Sequence, residues 1–463
     1  MKQLISRAGH GALAGLLATA AMSLVMLGAK RLGALGEPPP RRLVRRITAG
    51  LGPAAPRGRA LDAAALAAHF AFGASVGTLF GLFPPTARTS GGGALYGLGV
   101  WAVNYAGWLP KVGLMPPARR DRPGRQPAMI VAHLVFGAAL AVAHRRLWSN
   151  LESLRGKVVV VAGGTRGLGL AVARELLRHG ARVAICGRSR PSVERARSSL
   201  SALPGAIVLA DTCDLRSEPQ TRDFFERVTR ELGPIDVAVA NAATISVGPL
   251  ESLTLSDFEL AMLNVFGTAL RTTMAVLPGM RKRGSGSIVM VSSIGGKLGL
   301  PHLAPYSAAK FAQVGFAEAL HAEVARDGVR VLTVVPGLMR TGSHVHARFS
   351  GDSERELQWF GASAVAPLLS IDPDRAARRV VRAIARGDRF LTFTPAARVG
   401  GWLHDTAPNA WSLLFAIVGR LLPSIVSRPA HADEGKAILD RSSSRWSRLI
   451  AWRTAPLLRP NNQ

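Results

Sequence analysis

Acidic residues are scarce in this chain. Asp and Glu number 29 against 58 Lys and Arg, which gives a formal net charge of +29. Aromatic residues make up only 6% of the sequence, and no zinc-finger or RNA-binding pattern occurs, so nucleic acid is disfavoured as a partner. A mean hydropathy of +0.20 together with this basic charge favours a membrane surface instead.

Cysteine is nearly absent as well. Cys186 and Cys213 fall within apolar, strand-like runs, and two cysteines cannot form a disulfide framework. We therefore expect buried thiols in a reducing compartment. The sequence shows no His, Cys, Asp and Glu cluster with metal-ligand spacing, so no metal site is predicted.

Residues 1–150 are rich in small apolar residues and are predicted to form an all-α transmembrane region. Four apolar segments occur there, at residues 11–29, 61–83, 92–109 and 128–143. Because about 17–25 residues span a bilayer, the first three are long enough and the fourth is marginal. The segments lack the charged face of a soluble helix. Gly73, Gly77 and Gly81 have the four-residue spacing that lets membrane helices pack closely.

The basic linkers do not give one consistent topology. They contain Arg41, Arg42, Arg45 and Arg46 before the second segment, and Lys111, Arg119, Arg120, Arg122 and Arg125 after the third. Both linkers are therefore predicted to be cytoplasmic, and four spans would export the rest of the chain. If that part uses a cytosolic dinucleotide, one segment fails to span, and the fourth is our candidate. Lys2 and Arg7 also suit a signal peptide, although the later apolar segments favour an anchor.

Residues 151–395 begin with a strand, a glycine-rich turn and a helix. The apolar run at 157–162 predicts a buried parallel strand, and Gly163, Gly164, Gly167 and Gly169 follow it directly. Glycines at such a turn let backbone amides approach a pyrophosphate, whose charge the helix N-terminus stabilises. The pattern predicts a dinucleotide-binding unit.

Arg188 follows the second predicted strand, where NAD-binding folds usually carry an acidic residue. Arg166, in the glycine turn, supplies another guanidinium. Two guanidinium groups suit a ribose 2′-phosphate, so we predict NADP(H) as the cofactor rather than NAD. The alternative is that both arginines simply face solvent.

Ser293, Tyr306 and Lys310 form a candidate catalytic group. Tyr306 and Lys310 are one helical turn apart and share a helix face. A nearby ammonium is expected to lower the tyrosine pKa and to make Tyr306 a general acid/base. Ser293 follows a predicted buried strand at 287–291, where its hydroxyl is available to a substrate carbonyl. Taken alone, a Tyr-x-x-x-Lys pair occurs by chance on many helices.

Taken together, residues 156–341 resemble the short-chain dehydrogenase/reductase family. Gly163, Gly167 and Gly169 match its Thr-Gly-x-x-x-Gly-x-Gly motif, with Ala162 in place of threonine. The run 241–243 matches its Asn-Ala-Gly motif, with alanine in place of glycine.

The resemblance implies a role for each matched residue. The implied catalytic residues are Ser293, Tyr306, Lys310 and Asn264. The implied cofactor contacts are Gly163, Thr165, Arg166, Gly167, Leu168, Gly169, Arg188, Asp214, Leu215, Asn241, Ala242, Tyr306, Lys310, Pro336, Gly337 and Thr341. Among them Asp214 is expected at the adenine, Lys310 at the nicotinamide ribose and Pro336 near the nicotinamide. Asn264 is expected to support a proton relay through water.

Between these motifs, apolar runs alternate with helical patterns. Further strands are predicted at 182–185, 206–210, 235–240 and 330–335. The alternation predicts an α/β fold, a Rossmann-type doubly wound parallel sheet. Asp372 followed by Pro373 predicts the capped start of a helix that continues to about residue 384.

Residues 396–463 form a C-terminal extension. An apolar stretch at 408–426, interrupted by Arg420, predicts a membrane-interfacial helix, with a packing helix as the alternative. The arginine-rich tail around Trp446 and Trp452 is expected either to contact anionic lipid or to be solvated. Before the extension, residues 342–369 are expected to cover the substrate, with His344 and His346 facing solvent.

The sequence therefore predicts a multi-pass membrane protein whose Rossmann unit lies in the cytoplasm. That unit would use NADPH to interconvert a carbonyl and an alcohol on an apolar, lipid-like small molecule. The alternative is a membrane interaction protein that binds NADPH without turnover. Pairing of two copies into a homo-oligomer through the Rossmann unit is compatible with either function.

Overall fold

The chain folds as two compact units, Met1–Ser149 and Asn150–Gln463. A computed structural model describes residues 2–83, 89–114, 116, 124–147, 151–366, 370–423, 432–458 and 462. Each unit encloses its own hydrophobic core.

The N-terminal unit is helical. Its helices are α1 Lys2–Arg31, α2 Pro39–Ile47, α3 Gly58–Leu82, α4 Ser90–Trp101, α5 Leu109–Lys111 and α6 Arg125–Leu147, with a π-helical segment at Ala102–Trp108. Glycines bring these helices together. A Cβ on Gly77 of α3 would lie 2.3 Å from the Gly11 oxygen of α1, and one on Gly137 of α6 would lie 1.9 Å from the Gly93 oxygen of α4. Only glycine permits backbones to approach this closely.

Three helical stretches of this unit are long and apolar enough to cross a membrane, Ile5–Arg31, Gly58–Leu82 and Arg125–Leu147. The last contains the segment that the sequence marks as marginal. The predicted third segment, 92–109, does not meet the criterion among the described residues. Its glycines and Asn104 reduce its hydropathy, and α4 gives way to the π-helical segment after Trp101. The fourth segment, expected to be marginal, therefore meets the criterion for a span, and the third, expected to be long enough, does not.

Some arginines of the two basic linkers form ion pairs or hydrogen bonds within this unit. Arg41 on α2 pairs with Asp62 at 2.8 Å. Arg125 is buried at the start of α6, where its guanidinium donates to the Leu35 carbonyl at 2.8 Å. Arg45, also on α2, pairs with Glu37 at 3.0 Å. Three arginines of the second linker, Arg119, Arg120 and Arg122, lie outside the described residues.

A parallel sheet of seven strands organises the C-terminal unit. The strands of this unit are β1 Val158–Ala162, β2 Arg182–Gly187, β3 Ile207–Thr212, β4 Val237–Ala240, β5 Ser246–Val247, β6 Gly286–Val291, β7 Val329–Val335, β8 Leu338–Met339, β9 Arg348–Phe349, β10 Ser370–Ile371, β11 Phe390–Thr392 and β12 Asp433–Glu434. The main sheet has the order β11-β7-β6-β4-β1-β2-β3, which confirms the predicted doubly wound fold. The three-residue edge strand β11 was missed because it is too short to give a periodic signal.

Helices cover both faces of this sheet. They are α7 Gly167–Arg178, α8 Arg190–Ser201, α9 Glu218–Leu232, α10 Leu255–Ala261, α11 Thr268–Arg283, α12 Ala304–Val324, α13 Ser353–Val365, α14 Pro373–Arg386, α15 Pro395–Thr406, α16 Pro408–Leu421, α17 Gly435–Arg441 and α18 Arg445–Leu458. Val159 and Val161 of β1 belong to the core with α7 and α14, whereas Val158 and Val160 belong to the core with α9, α11 and α12. Successive strand residues face opposite layers, so β1 is apolar throughout.

Two helices of this unit bear on the sequence predictions. The Asp372 carboxylate caps α14 by accepting from the Arg375 amide at 3.0 Å, as predicted. The stretch Leu255–Arg283 also satisfies the length and hydropathy criterion for a span. Its apolar residues include Val276 and Met280, which are buried in the core beside the sheet.

The C-terminal extension is built into this unit. Strand β12 pairs with β9, which in turn pairs with β5, and α18 packs against α13. The tail around Trp446 and Trp452 is therefore a helix packed against the unit, and the alternative of a solvated tail is wrong. The two tryptophan side chains themselves remain exposed. Helix α16 ends at Leu421, and the predicted residues 424–426 lie outside the described part of the chain.

Candidate active site

Tyr306 and Ser293 meet at the carboxyl edge of the sheet. Ser293 follows β6 and caps a short turn by accepting from the Gly295 amide at 3.2 Å. Tyr306 lies in the first turn of α12 and lines the same cavity as Ser293, whose side chain acts to lower the pKa of the Tyr306 hydroxyl. The two hydroxyls predicted to act on one substrate oxygen are thus adjacent.

Lys310 lies one turn after Tyr306 and is almost fully buried. Its Nζ is 5.7 Å from the centroid of the Tyr306 ring. The ammonium donates to the Val291 carbonyl at 2.8 Å and to the Gln313 side-chain oxygen at 3.0 Å. Among the described residues, these two oxygens take two of the three ammonium protons, which leaves one for a ligand.

Burial dominates the electrostatics of this pair. It raises the pKa of Tyr306 to about 12, although the hydrogen bond from Ser293 acts in the opposite direction. Burial also lowers the pKa of Lys310 to about 7. The expectation that Lys310 lowers the pKa of Tyr306 is therefore not met in the cofactor-free protein. The cost of placing a phenolate in this buried site exceeds the benefit of a buried ammonium that is itself weakened.

Asn264 lies in a π-helical segment, Met262–Gly267, between α10 and α11. Its backbone carbonyl accepts from the Thr268 hydroxyl at 3.0 Å. Its side chain lines a cavity together with Asn241, whereas Tyr306 and Lys310 line the adjoining cavity. The four residues of the implied catalytic group therefore do not all line one cavity: Asn264 lines the cavity next to that of the other three.

The glycine turn between β1 and α7 forms a tight cradle of backbone groups. Gly163 has a φ of +76°, which favours glycine, and its carbonyl accepts from the Asn241 side chain at 2.9 Å. A Cβ on Gly169 would lie 2.2 Å from the Gly163 oxygen. Helix α7 then starts at Gly167 with its N-terminus at the turn. The cradle fits a pyrophosphate, whose charge the helix N-terminus stabilises.

Arg166 and Arg188 lie beside this cradle and line both cavities. Burial and then the positive charge of Arg188 lower the pKa of Arg166, while the Glu434 carboxylate acts in the opposite direction. Further along the groove, Arg216 holds the pKa of the Asp214 carboxyl below its usual range. The Arg216–Asp214 ion pair measures 2.6 Å.

Two adjoining cavities of about 540 and 590 Å³ form the groove. The predicted residues that line the first are Arg166, Gly167, Leu168, Arg188, Asn241, Ser293, Tyr306, Lys310, Pro336, Gly337 and Thr341. Those that line the second are Gly163, Thr165, Arg166, Arg188, Asp214, Leu215, Asn241, Ala242 and Asn264. Gly169 lines neither, because it packs against Gly163 from behind.

The segment that follows the sheet differs from expectation at two histidines. His344 is buried rather than solvent-facing, and its Nε2 lies 2.8 Å from the Thr454 hydroxyl of α18. Burial lowers its pKa to about 4, so it is neutral near pH 7. His346 is half-buried, with its Nδ1 2.8 Å from a Glu434 carboxylate oxygen. Docking of the C-terminal extension explains both differences.

Sequence reasoning missed three groups near the site. Glu434 reaches the first cavity from the far end of the chain, and Gln313 binds Lys310. Glu356 on α13 is completely buried and lies 2.7 Å from the His302 ring, which ties α13 to the loop before Tyr306. Gln313 could have been predicted from the sequence, because its spacing places it on the same face of α12 as Tyr306 and Lys310. Glu434 and Glu356 could not, because their positions depend on long-range packing.

Comparison with known proteins agrees with this geometry. The family model for short chain dehydrogenase matches residues 157–349. A Drosophila melanogaster protein named dehydrogenase/reductase SDR family protein 7-like is 30% identical over 302 residues, which cover 62% of this chain and 90% of the relative. The chain belongs to the short-chain dehydrogenase/reductase (SDR) family.

Two further proteins extend the comparison. A ketoacyl reductase of Nostoc sp. is 31% identical over 201 residues, covering 43% of this chain and 70% of that protein. A solved short-chain dehydrogenase from Streptomyces avermitilis is 28% identical, covering 57% of this chain and 98% of that one, with a TM-score of 0.49. As an SDR protein, this chain is an oxidoreductase of the NAD- or NADP-dependent kind.

Proposed function

We propose that this SDR protein is a membrane-anchored, NADP(H)-dependent oxidoreductase that interconverts a carbonyl and an alcohol on an apolar substrate. The observation that carries the proposal is the meeting of Ser293, Tyr306 and Lys310 at one cavity. The adjoining cavity is lined by Gly163 of the glycine turn, whose close backbone packing supports binding of a dinucleotide there.

The proton chemistry falls to the chain itself. A bound nicotinamide would supply or accept the hydride. Tyr306 would protonate the carbonyl oxygen during reduction and deprotonate the alcohol during oxidation. Ser293, which lines the same cavity as Tyr306, would orient the same oxygen. Lys310 would hold the ribose with the proton that neither the Val291 carbonyl nor Gln313 accepts.

The preference for NADP(H) rests on Arg166 and Arg188. Their charges interact closely enough to shift the pKa of Arg166. Two neighbouring guanidinium groups stabilise a dianionic 2′-phosphate and gain nothing from a ribose hydroxyl. Glu434 lines the same cavity and its carboxylate acts against this preference, but the two guanidinium groups outnumber it.

The substrate side of the cavity supports an apolar ligand. Its apolar wall consists of Ile245, Leu300, Leu303, Met339, Phe360 and Ala364. Pockets with such walls and a few convergent polar groups select apolar molecules that carry one reactive polar function. Because a relative is named a ketoacyl reductase, acyl chains with a ketone are the first candidates to test.

Membrane anchoring is supported within each unit. In the N-terminal unit, α1 exposes Leu13, Leu17 and Leu24 over 53–72% of their surface. In the C-terminal unit, α16 has no buried residue and exposes Leu413 and Leu421. Apolar side chains exposed in this number are costly in water and favourable in a bilayer.

The deciding experiment is a turnover screen with NADPH, using a lipid extract and a panel of medium- and long-chain ketones. The full chain in detergent or nanodiscs should oxidise NADPH with an apolar carbonyl and should prefer NADPH to NADH. Absence of oxidation across the panel would reject the enzymatic assignment of this site. A reporter fused after Gln463 should read as cytoplasmic, and an extracytoplasmic signal would overturn the proposed orientation.

A further inference from the structure

We infer that Gln313 is a positioning residue, which fixes the Lys310 ammonium by bridging it to the π-helical segment that contains Asn264. The inference rests on the proposed function, because it assigns Gln313 a part in that same site. The side chain of Gln313 is completely buried, and no solvent competes for its amide.

The bridge consists of two hydrogen bonds. Lys310 Nζ donates to Gln313 Oε1 at 3.0 Å, and Gln313 Nε2 donates to the Val265 carbonyl at 3.0 Å. An ammonium cannot accept and a carbonyl cannot donate, so only one orientation of the amide satisfies both neighbours. The geometry therefore determines which amide atom faces Lys310.

Both ends of the bridge belong to the catalytic machinery. Tyr306, Lys310 and Gln313 follow one another at spacings of four and three residues, which places them on one face of α12. At the other end, Val265 directly follows Asn264 in the π-helical segment. Such segments release carbonyls from the regular helical ladder, and the Val265 carbonyl accepts from Gln313 and, at 3.1 Å, from the Thr268 hydroxyl.

The bridge has an electrostatic consequence. Lys310 is buried, and its charge is opposed by desolvation. The groups shown facing its ammonium are the ring of the titratable Tyr306 and two neutral acceptors, the Val291 carbonyl and the Gln313 side-chain oxygen. Two neutral oxygens thus stabilise the ammonium, and Gln313 supplies the only one from a side chain among the described hydrogen bonds.

Two substitutions separate this role from simple packing. Gln313→Met keeps the side-chain volume and removes both hydrogen bonds. Gln313→Glu keeps an oxygen facing Lys310, adds a negative charge and removes the donor to Val265. The apparent pKa of Lys310 should fall by about one unit in Gln313→Met, because the free energy of one hydrogen bond to a charged group corresponds to about one pKa unit. It should rise in Gln313→Glu, because the added carboxylate stabilises the ammonium.

The measurement is an NMR titration of the full, cofactor-free chain with selectively ¹³C-labelled lysine, in which loss of a signal in Lys310→Met assigns Lys310. Gln358→Met removes a partly buried amide on α13 and should leave the titration unchanged. Turnover should fall mainly in kcat for Gln313→Met, with partial recovery and a shifted pH profile in Gln313→Glu.

Equal titration of Lys310 in the parent and both variants, or shifts in the same direction, would overturn the inference. If Gln313→Met does not fold, the comparison of Gln313→Glu with the parent still decides, because a rise is required. The titration needs no substrate, so a parent chain without turnover would reject the proposed function while leaving the position of Gln313 to be decided by NMR.

Discussion

The Lys310 Nζ lies 5.7 Å from the centroid of the Tyr306 ring; Lys310 is almost fully buried and Tyr306 is partly buried. At that separation the ammonium does not overcome the desolvation of the phenol, whose pKa is raised to about 12. The pair is therefore held with Tyr306 protonated, which is the form that donates to a carbonyl.

Replacing Tyr306 with phenylalanine should abolish most turnover and leave NADPH binding intact. The ring is kept, and only the proton donor is lost, so a fall in kcat of roughly 100- to 10,000-fold is expected. NADPH oxidation with the substrate found in the screen measures the fall, and fluorescence titration measures binding. Tyr96→Phe removes a hydroxyl that donates to Val76 in the N-terminal unit and should keep full turnover. An active Tyr306→Phe enzyme would exclude Tyr306 as the acid/base.

Arg188→Ala should weaken NADPH binding selectively. Loss of a charge-assisted contact to a phosphate is expected to lower NADPH affinity by about 10- to 100-fold, with NADH affinity unchanged. Titration of the intrinsic fluorescence with both dinucleotides gives the two values. Arg197→Ala is a matched control, because Arg197 lies on α8, pairs with Glu194 and lines neither cavity. A parent chain with equal affinity for both dinucleotides would contradict the NADP(H) assignment.

Gly169→Ala should damage the dinucleotide cradle. The added methyl group would lie 2.2 Å from the Gly163 oxygen and 2.6 Å from the Asn241 amide nitrogen, so α7 must move away from β1. We expect about 1–3 kcal/mol of lost stability and weaker dinucleotide binding. Gly315→Ala on α12 adds the same methyl group with no atom within 4 Å and should be neutral or slightly stabilising. Thermal unfolding and NADPH titration distinguish the two, and equal behaviour would reject the cradle geometry.

Lys310 should make stability depend on pH. Its pKa is about 7 in the folded protein and about 10.4 in an unfolded chain. Between these values the unfolded chain binds more protons, so the free energy of unfolding should rise with pH in that window. The destabilisation is fully present below pH 7. Denaturant unfolding across pH 6–10 should show the parent gaining stability relative to Lys310→Met as pH rises; a constant difference would argue against a buried, perturbed lysine.

Helix α16 should enter a lipid environment. A polarity-sensitive dye on Leu413→Cys should shift to shorter emission wavelength when the full chain moves from detergent into nanodiscs. The native thiols, Cys186 and Cys213, are buried and should not label. Arg222→Cys on the exposed face of α9 is the matched control and should show no shift. Similar spectra at both positions would indicate that α16 packs against protein.

Sequence patterns determined most of the Rossmann sheet and the identities of its central site residues. Continuous apolar runs are buried on two faces, so β1 and its neighbours were recognisable without knowing their partners. Tyr306 and Lys310 lie on one helix, where spacing alone fixes their common face. The glycine turn is also encoded locally. The positive φ at Gly163 and the close backbone approach at Gly169 both require glycine.

What only the tertiary structure decided concerns contacts between distant parts of the chain. The docking of β12 and α18 places Glu434 in the cavity and buries His344, and no local pattern carries that information. The sign of the Tyr306 pKa shift also required the fold. Spacing brought a lysine near the phenol, but the degree of burial, set by packing from several elements, determined which effect was larger.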